Sequence, residues 1–281
     1  MKYTLITDSC CDLFPRDLNS DKLEFHVVPL TLIVDGKEMI DDEHLNVQHF
    51  VASVNASKTC AKSACPSPET YFDIIRRSDN IIIVTLSSKL SGTHASAAVA
   101  VDMARREFPK KKIYLCDSLS AAAGLDFIMY KIKELVETRN EMEWETICGA
   151  VSEICSKTRV RFLLQDLGNL VKNGRLSKMA GKMLTAINVK LICGDDGEGE
   201  IKKYGMAMGT KRGLQEMAHL PHHDKMPKEN LIFISHVFNE TDMVYLKNIL
   251  DTKFGYTNII TCQMRGLSSL YAADKGIVMA Y

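Results

Sequence analysis

No stretch of the chain stays apolar for the ~18–20 residues that a membrane-spanning helix requires, so a membrane span is not expected. The opening Met1-Lys2-Tyr3-Thr4 leads directly into a strand pattern, without the apolar centre of a signal peptide. A cytoplasmic protein is the expectation. Charge of either sign is not in excess, because 35 lysines and arginines balance 35 aspartates and glutamates. With no surplus positive field to release counterions from a polyanion, nucleic acid is not an expected partner. Paired-ligand spacing is missing too. The nine cysteines are scattered and form no CxxC pair, which excludes the common zinc and dithiol motifs and fits a reducing compartment. There is no GxxxxGK(S/T) run, and Lys89 precedes Gly92 instead of following it, so a phosphate-binding P-loop is disfavoured. No metal centre and no cofactor is expected, and His222-His223-Asp224 reads as an incidental surface group.

What the chain does have is an ordinary globular composition, 46% hydrophobic and 25% charged, spread over 281 residues. That length exceeds one typical core, so two domains are expected, with the boundary at 158/159. Residues 1–158 read as a mainly parallel sheet with flanking helices, and residues 159–281 as a smaller α/β domain. Lys2 to Thr7 is the opening strand, and the apolar stretch Leu23 to Val34 ends in Asp35-Gly36, a tight-hairpin dipeptide. Asn80 to Leu86 has no polar alternation and reads as a central strand buried on both faces. An alanine-rich helix is expected from Thr93 to Phe108, stopped by Pro109, followed by a strand at Lys112 to Asp117. Helices are expected over Leu119 to Thr138 and Glu141 to Ser156, the second capped by Asn140 with Glu143 reaching back. Cys148 and Cys155 would share a face of it as small buried hydrophobes.

The second half opens on Arg161 to Leu164 and passes two short helical segments. Strands then follow at Ile187 to Cys193 and Glu200 to Met206 around a turn at Gly194 to Gly199. A helix from Lys211, a loop at Pro221 to Pro227, a strand at Asn230 to His236, a helix capped by Asn239, and strands at Thr257 to Gln263 and Gly276 to Tyr281 complete it.

The densest polar cluster is Thr85-Leu86-Ser87-Ser88-Lys89-Leu90-Ser91-Gly92-Thr93, where the buried strand passes into a helix. In an open α/β sheet that is where a ligand sits, and an anionic head group fits the unpaired N–H groups of the helix start. Gly92 permits close backbone approach, and Ser91 and Thr93 supply hydroxyl donors. The competing reading makes these hydroxyls helix caps. Ser63, in Lys62 to Glu69, and Arg175, on the glycine turn Val171 to Ser177, read in isolation as loop and helix-end residues. The eight histidines offer no recognisable base for Ser91, Cys10 or Cys11, so no catalytic residue is assigned. A small-molecule kinase or transferase using Ser87 to Thr93 as an anion site is an alternative, as is redox sensing at Cys10-Cys11.

Taken in order, Ile6-Thr7-Asp8-Ser9, Val27-Val28-Pro29-Leu30, Ser87 to Thr93, Asp117-Ser118-Leu119-Ser120 and Asn173-Gly174-Arg175-Leu176-Ser177 resemble the DegV family of bacterial fatty-acid-binding proteins (FakB-like) over nearly the whole chain. The resemblance implies a two-domain α/β fold that buries a long-chain fatty acid and is not itself an enzyme. In some members the acyl chain is presented to a separate fatty acid kinase catalytic subunit. It also implies that Ser91 binds the carboxylate, that Ser63 stands where the family often has threonine, and that Arg175 organises the site or a partner surface. Two departures stand out. Ser63-Ala64-Cys65-Pro66 replaces a Thr-Ser-Gln-Pro run, and Ala272 stands where the family usually carries histidine. Lys275 and Tyr271 are the nearby donors that would compensate.

Overall fold

The computed structural model describes residues 2–138, 142–176 and 188–281. In chain order the first half runs β1 (Tyr3–Asp8), α1 (Pro15–Leu18), β2 (Leu23–Val28), β3 (Thr31–Val34), β4 (Lys37–Ile40), α2 (Val47–Ala56), β5 (Lys62–Ala64), α3 (Pro68–Ile75), β6 (Asn80–Thr85), α4 (Thr93–Glu107), β7 (Lys112–Asp117), α5 (Ala123–Thr138) and α6 (Trp144–Lys157). The main sheet has the order β2-β1-β6-β7 with every pair parallel. A parallel sheet needs cover on both faces, which is why β6 is apolar without interruption. Ile81 and Ile83 pack with Tyr71, Ile75, Ala97, Ala100 and Ala104 of α3 and α4. Ile82 and Val84 face the opposite way, into the core that contains Ile128, Met129 and Ile132 of α5. The small residues at 97, 100 and 104 share one helical stripe and let α4 lie close to the sheet.

The Asp35-Gly36 turn forms as expected, with both residues at positive φ (49° and 77°). Its strands β3 and β4 join β5 in a separate antiparallel sheet of order β4-β3-β5, with Ser63 opposite Leu32.

The second half runs β8 (Val160–Leu163), α7 (Gly168–Lys172), β9 (Val189–Asp195), β10 (Ile201–Met208), α8 (Thr210–His223), β11 (Ile232–His236), α9 (Glu240–Phe254), β12 (Ile259–Gln263), α10 (Gly266–Ala272) and β13 (Ile277–Ala280). Six strands form one sheet of order β10-β9-β8-β13-β11-β12, antiparallel except for β11–β12. One face carries Leu163, Ile192, Ile232 and Ile234 against Leu214 and Met217 of α8 and Leu246 and Leu250 of α9. The other face contributes Phe162, Cys193, Phe233 and Val278 to the core that already holds β1, β6 and α5. Helix α5 also packs on β11 and β13, so it is the wedge between the two sheets.

Four sequence expectations are corrected. Leu119 to Ala122 is not helical, because Leu119 and Ala122 sit at positive φ (53° and 49°), and α5 begins at Ala123. Helix α6 has Glu143 at its N-cap position with no side-chain cap bond; Asn140 lies outside the described residues, as does Ile187, the expected start of β9. Helix α8 runs through Pro221, which the loop reading excluded. The proline is buried in the last turn, where losing one N–H interrupts no further helix. Helix α10 was not expected at all.

That helix ends at Ala273, whose φ of 57° and ψ of 176° fall in a region that suits glycine. Ala273→Gly is therefore expected to stabilise the protein by about 1 kcal/mol, raising Tm by roughly 2–4 °C in a calorimetric scan.

Candidate functional site

The polar loop between β6 and α4 is held from three sides. Asp8, at the end of β1, accepts the N–H of Cys10 on Oδ1 (3.0 Å) and the N–H of Leu86 on Oδ2 (2.7 Å). Asp117, at the end of β7, accepts the N–H groups of Ser88 and Leu119, both at 3.1 Å. Ser87 donates its hydroxyl to the carbonyl of Gly199, in the turn between β9 and β10, at 2.7 Å. Gly199 has φ of +93°, and a Cβ there would come within 2.5 Å of the Ser87 hydroxyl, so the contact requires glycine. Ser87 thus joins the two halves of the chain.

Ser91 is oriented by its neighbours. Its Oγ lies 2.9 Å from the Thr93 hydroxyl and accepts the Thr93 N–H at 3.3 Å. Beneath it a cavity opens between the two sheets. The walls are almost wholly apolar and come from both halves, with Leu30, Leu86 and Leu119 on one side and Val160, Phe162 and Val278 on the other. One polar group lies around Ser91, while Ser120, Asp195, Glu200 and Ser268 also line the cavity. Ser63 lies 3.2 Å from the Tyr271 hydroxyl, and both line the cavity with Ser91 and Arg175. Arg175 donates Nε–H to the Leu90 carbonyl at 3.0 Å, and its guanidinium stands 5.9 Å from the Tyr271 ring centre. Asn173, two residues before it, anchors the turn by donating to the Ala61 carbonyl at 3.0 Å.

Outside the mouth lies a shallow shelf that includes Lys89, His94 and Asn173 and shares Ser91 and Arg175 with the cavity. Ser91 and Arg175 therefore stand where an apolar interior meets a polar exterior, the arrangement that suits an amphiphile with an anionic end.

Of the residues singled out in the sequence, Ser63, Ser91 and Arg175 converge on the cavity. Gly92 lines only the shelf, and Thr93 is buried behind Ser91 with its hydroxyl committed to it, so neither forms the cavity wall. Ala272 does line it, which places a methyl where an imidazole was expected. Of the two substitute donors, Tyr271 reaches the cavity, whereas Lys275 donates to the Phe238 carbonyl. His94 bonds Thr85 at 3.0 Å and lies on the shelf. Ser120, which the sequence marked only as part of a family motif, lines the cavity, as do Asp195, Glu200 and Ser268, which nothing in their local sequence marks. Cys10 and Cys11 are buried, and burial beside Asp8 and Asp126 pushes both thiols well above the ordinary range, the reverse of what a redox sensor needs.

Burial also lifts the Asp8 and Asp126 carboxyls to about 7 each, and raises Asp12 and Asp41. A carboxyl whose folded pKa exceeds its unfolded value of ~3.9 holds more protons when folded between those two values, so its contribution to stability is lost as pH rises through that window. His236, held below its ordinary value by burial, opposes this below pH ~6.5, but it is one group against four. Stability is expected to fall between pH 5 and pH 7, by on the order of 2 kcal/mol for each of Asp8 and Asp126. Urea melts at the two pH values check this, and higher stability at pH 7 would contradict it.

Comparison with known proteins settles the family. The family model described as an uncharacterised protein of the DegV family matches residues 2–279. The chain belongs to the DegV family. A DegV domain-containing protein of Streptococcus pyogenes serotype M18 is 31% identical over 285 residues, covering 100% of this chain and 99% of the relative. Among solved DegV-like structures, the Streptococcus pneumoniae fatty acid kinase B3 protein loaded with linoleic acid is similar with a TM-score of 0.94 and 30% identity, covering 100% and 99% of the two chains. A DegV family protein of Ruminococcus gnavus refined with vaccenic acid gives 0.91 and 29%, covering 99% of each chain. One from Eubacterium eligens loaded with heptadecanoic acid gives 0.90 and 27%, covering 99% and 98%. The DegV fold inferred from the motifs is therefore the fold of this chain.

Proposed function

We propose that this DegV protein binds one long-chain fatty acid with its tail in the cavity between the sheets and its carboxylate at the mouth, against Ser91, Ser63 and Arg175. The observation that carries the reading is the grouping of three hydroxyls and a guanidinium on the wall of a largely apolar cavity. The fatty acids named for the three structural relatives support the same ligand class. Burial of the tail is the larger energetic contribution. At ~0.8 kcal/mol per methylene, about fifteen methylenes supply on the order of 12 kcal/mol before ordering costs.

The division of labour follows from that number. Tail burial holds the ligand, and the mouth selects a carboxylate. Ser91→Ala removes one donor to a charged acceptor, about 1.5–3 kcal/mol, so affinity for a fatty acid is expected to drop roughly 10- to 150-fold. A fatty alcohol of the same length, lacking the charge, is expected to lose much less. Displacement of a fluorescent fatty acid from wild type and variant measures both; equal losses for acid and alcohol would place the carboxylate elsewhere.

The same reading makes the chain a carrier with no catalytic residue of its own, and puts its two domains at 1–158 and 159–281. In line with the fatty acid kinase B3 relative, the shelf outside Ser91 is where a separate kinase would reach the carboxylate. The isolated chain is then inert toward ATP in the presence of fatty acid; turnover by the chain alone would favour a kinase acting through the 87–93 loop.

A further inference from the structure

A second group of polar side chains lies inside the molecule, apart from the acyl mouth. Asp12 follows β1, Asp126 stands in the first turn of α5 and Cys262 lies on β12. Each brings one donor atom to within 4.8 Å of the other two. Asp12 is 2% exposed; its Oδ1 accepts the Arg265 N–H at 2.7 Å, but its Oδ2 has no hydrogen-bond partner among the described residues. Asp126 is fully buried, accepts the Asp12 N–H on Oδ1 at 2.6 Å, and meets the Cys262 thiol across 3.8 Å through Oδ2. A buried carboxylate oxygen left without a donor is costly and points to a missing cation or proton.

Arg265, the cation beside Asp12, does not fill the gap. Its guanidinium donates to the carbonyls of Leu13 (3.4 Å) and Asp41 (3.2 Å), and it reaches the Asp12 carboxylate through its backbone N–H.

We propose that Asp12, Asp126 and Cys262 form a binding site for one divalent cation of the zinc class. The donor set decides the class: two carboxylate oxygens and one sulfur suit a borderline-soft ion, whereas magnesium and calcium prefer shells of oxygen alone. At bond lengths near 2.0–2.3 Å, neighbouring ligands of a tetrahedral ion stand about 3.3–3.8 Å apart. The three donors therefore close by no more than about 1–1.5 Å, within the reach of side-chain rotation. Cys262 is half-buried. Binding requires the Cys262 thiol to give up its proton to solvent, with no change of oxidation state. The bound ion would tie the loop after β1 and the start of α5 to β12, joining the two halves of the chain.

The test uses the full-length, reduced protein and cobalt(II) as a spectroscopic stand-in. One equivalent is expected to give a thiolate-to-cobalt band in the near ultraviolet with tetrahedral bands in the visible, all lost on adding zinc(II). Cys262→Ser, which gives up only a weak thiol contact and so should remain folded, is expected to weaken zinc(II) binding at least 100-fold. Zinc(II) is also expected to slow alkylation of Cys262 in the wild type. Absence of a thiolate band, or undiminished zinc(II) binding by folded Cys262→Ser, overturns the proposal. Because the site lies apart from the acyl mouth, neither result depends on whether fatty acid binds.

Discussion

Ala121→Trp is expected to strip the protein of fatty acid while leaving it folded. Ala121 lies in the irregular segment before α5, is half-buried and lines the cavity. It belongs to neither a strand nor a helix, so a larger side chain can be accommodated by projecting into the empty volume instead of displacing a packed element. An indole there takes the place of several methylenes of ligand. Excluding even four of them removes ~3 kcal/mol, which is more than 100-fold in affinity. The folded state should gain a little from the extra buried surface, so Tm should hold or rise. Displacement titration with a fluorescent fatty acid, alongside circular dichroism, measures both effects. Undiminished uptake by a folded Ala121→Trp protein would mean that the acyl chain lies outside this cavity.

The second large effect concerns the helix that carries one side of the mouth. Helix α10 has only seven residues and cannot hold itself together by its own hydrogen bonds. It is capped from a remote part of the chain. Asp41, just past β4 and fully buried, accepts the Gly266 N–H at 3.0 Å and the Leu267 N–H at 2.8 Å, one on each carboxylate oxygen. Gly266 has no room for a side chain, because a Cβ would fall 2.5 Å from the Asp41 Oδ1 and 2.6 Å from a Leu32 methyl. Asp41→Ala leaves two buried N–H groups unpaired and takes a carboxylate away from the neighbourhood of Arg265. The expected loss is ~3–5 kcal/mol, or roughly 6–15 °C in Tm. Asp41→Asn keeps one acceptor and should lose less than half as much. Because Leu267, Ser268, Tyr271 and Ala272 on this helix line the cavity, the Asp41→Ala protein should also bind fatty acid more weakly than its residual folded fraction explains. A loss of under 1 kcal/mol would show that α10 is held by packing alone.

These two sites mark where the sequence could and could not be read. The unbroken Ile81-Ile82-Ile83-Val84 run, the Asp35-Gly36 turn and the small-residue stripe of α4 are local signals, and each gave its element with ends correct to a residue or two. Helix α10 carries no comparable local signal, since its cap is 225 positions away in Asp41. Pro221 reads as a helix breaker because a pattern of letters does not show that a helix is already in its final turn. Leu119 and Ala122 look helical by composition, yet both turn through positive φ because the chain must leave β7, form the cavity wall and only then enter α5.

The mouth divides in the same way. Ser91 is legible as a hydroxyl at a strand-to-helix junction, whereas Ser63 and Arg175 read as ordinary loop residues until family motifs connect them. Their meeting depends on β5 pairing with β3 and on Asn173 reaching the Ala61 carbonyl. Tyr271 was legible only as a substitute for the histidine replaced by Ala272; its bond to Ser63 spans 208 positions. The walls are the least legible part. Leucines and valines drawn from both halves of the chain carry no mark that separates a cavity lining from a packed core.

The most direct test of a fatty acid held between the two sheets is native mass spectrometry of the freshly purified full-length protein, followed by lipid extraction. The expected spectrum shows the chain carrying a single added mass in the range of a C16–C18 fatty acid, released on denaturation and recovered as the free acid. A ligand-free mass that stays unchanged after incubation with palmitate or oleate would contradict the account.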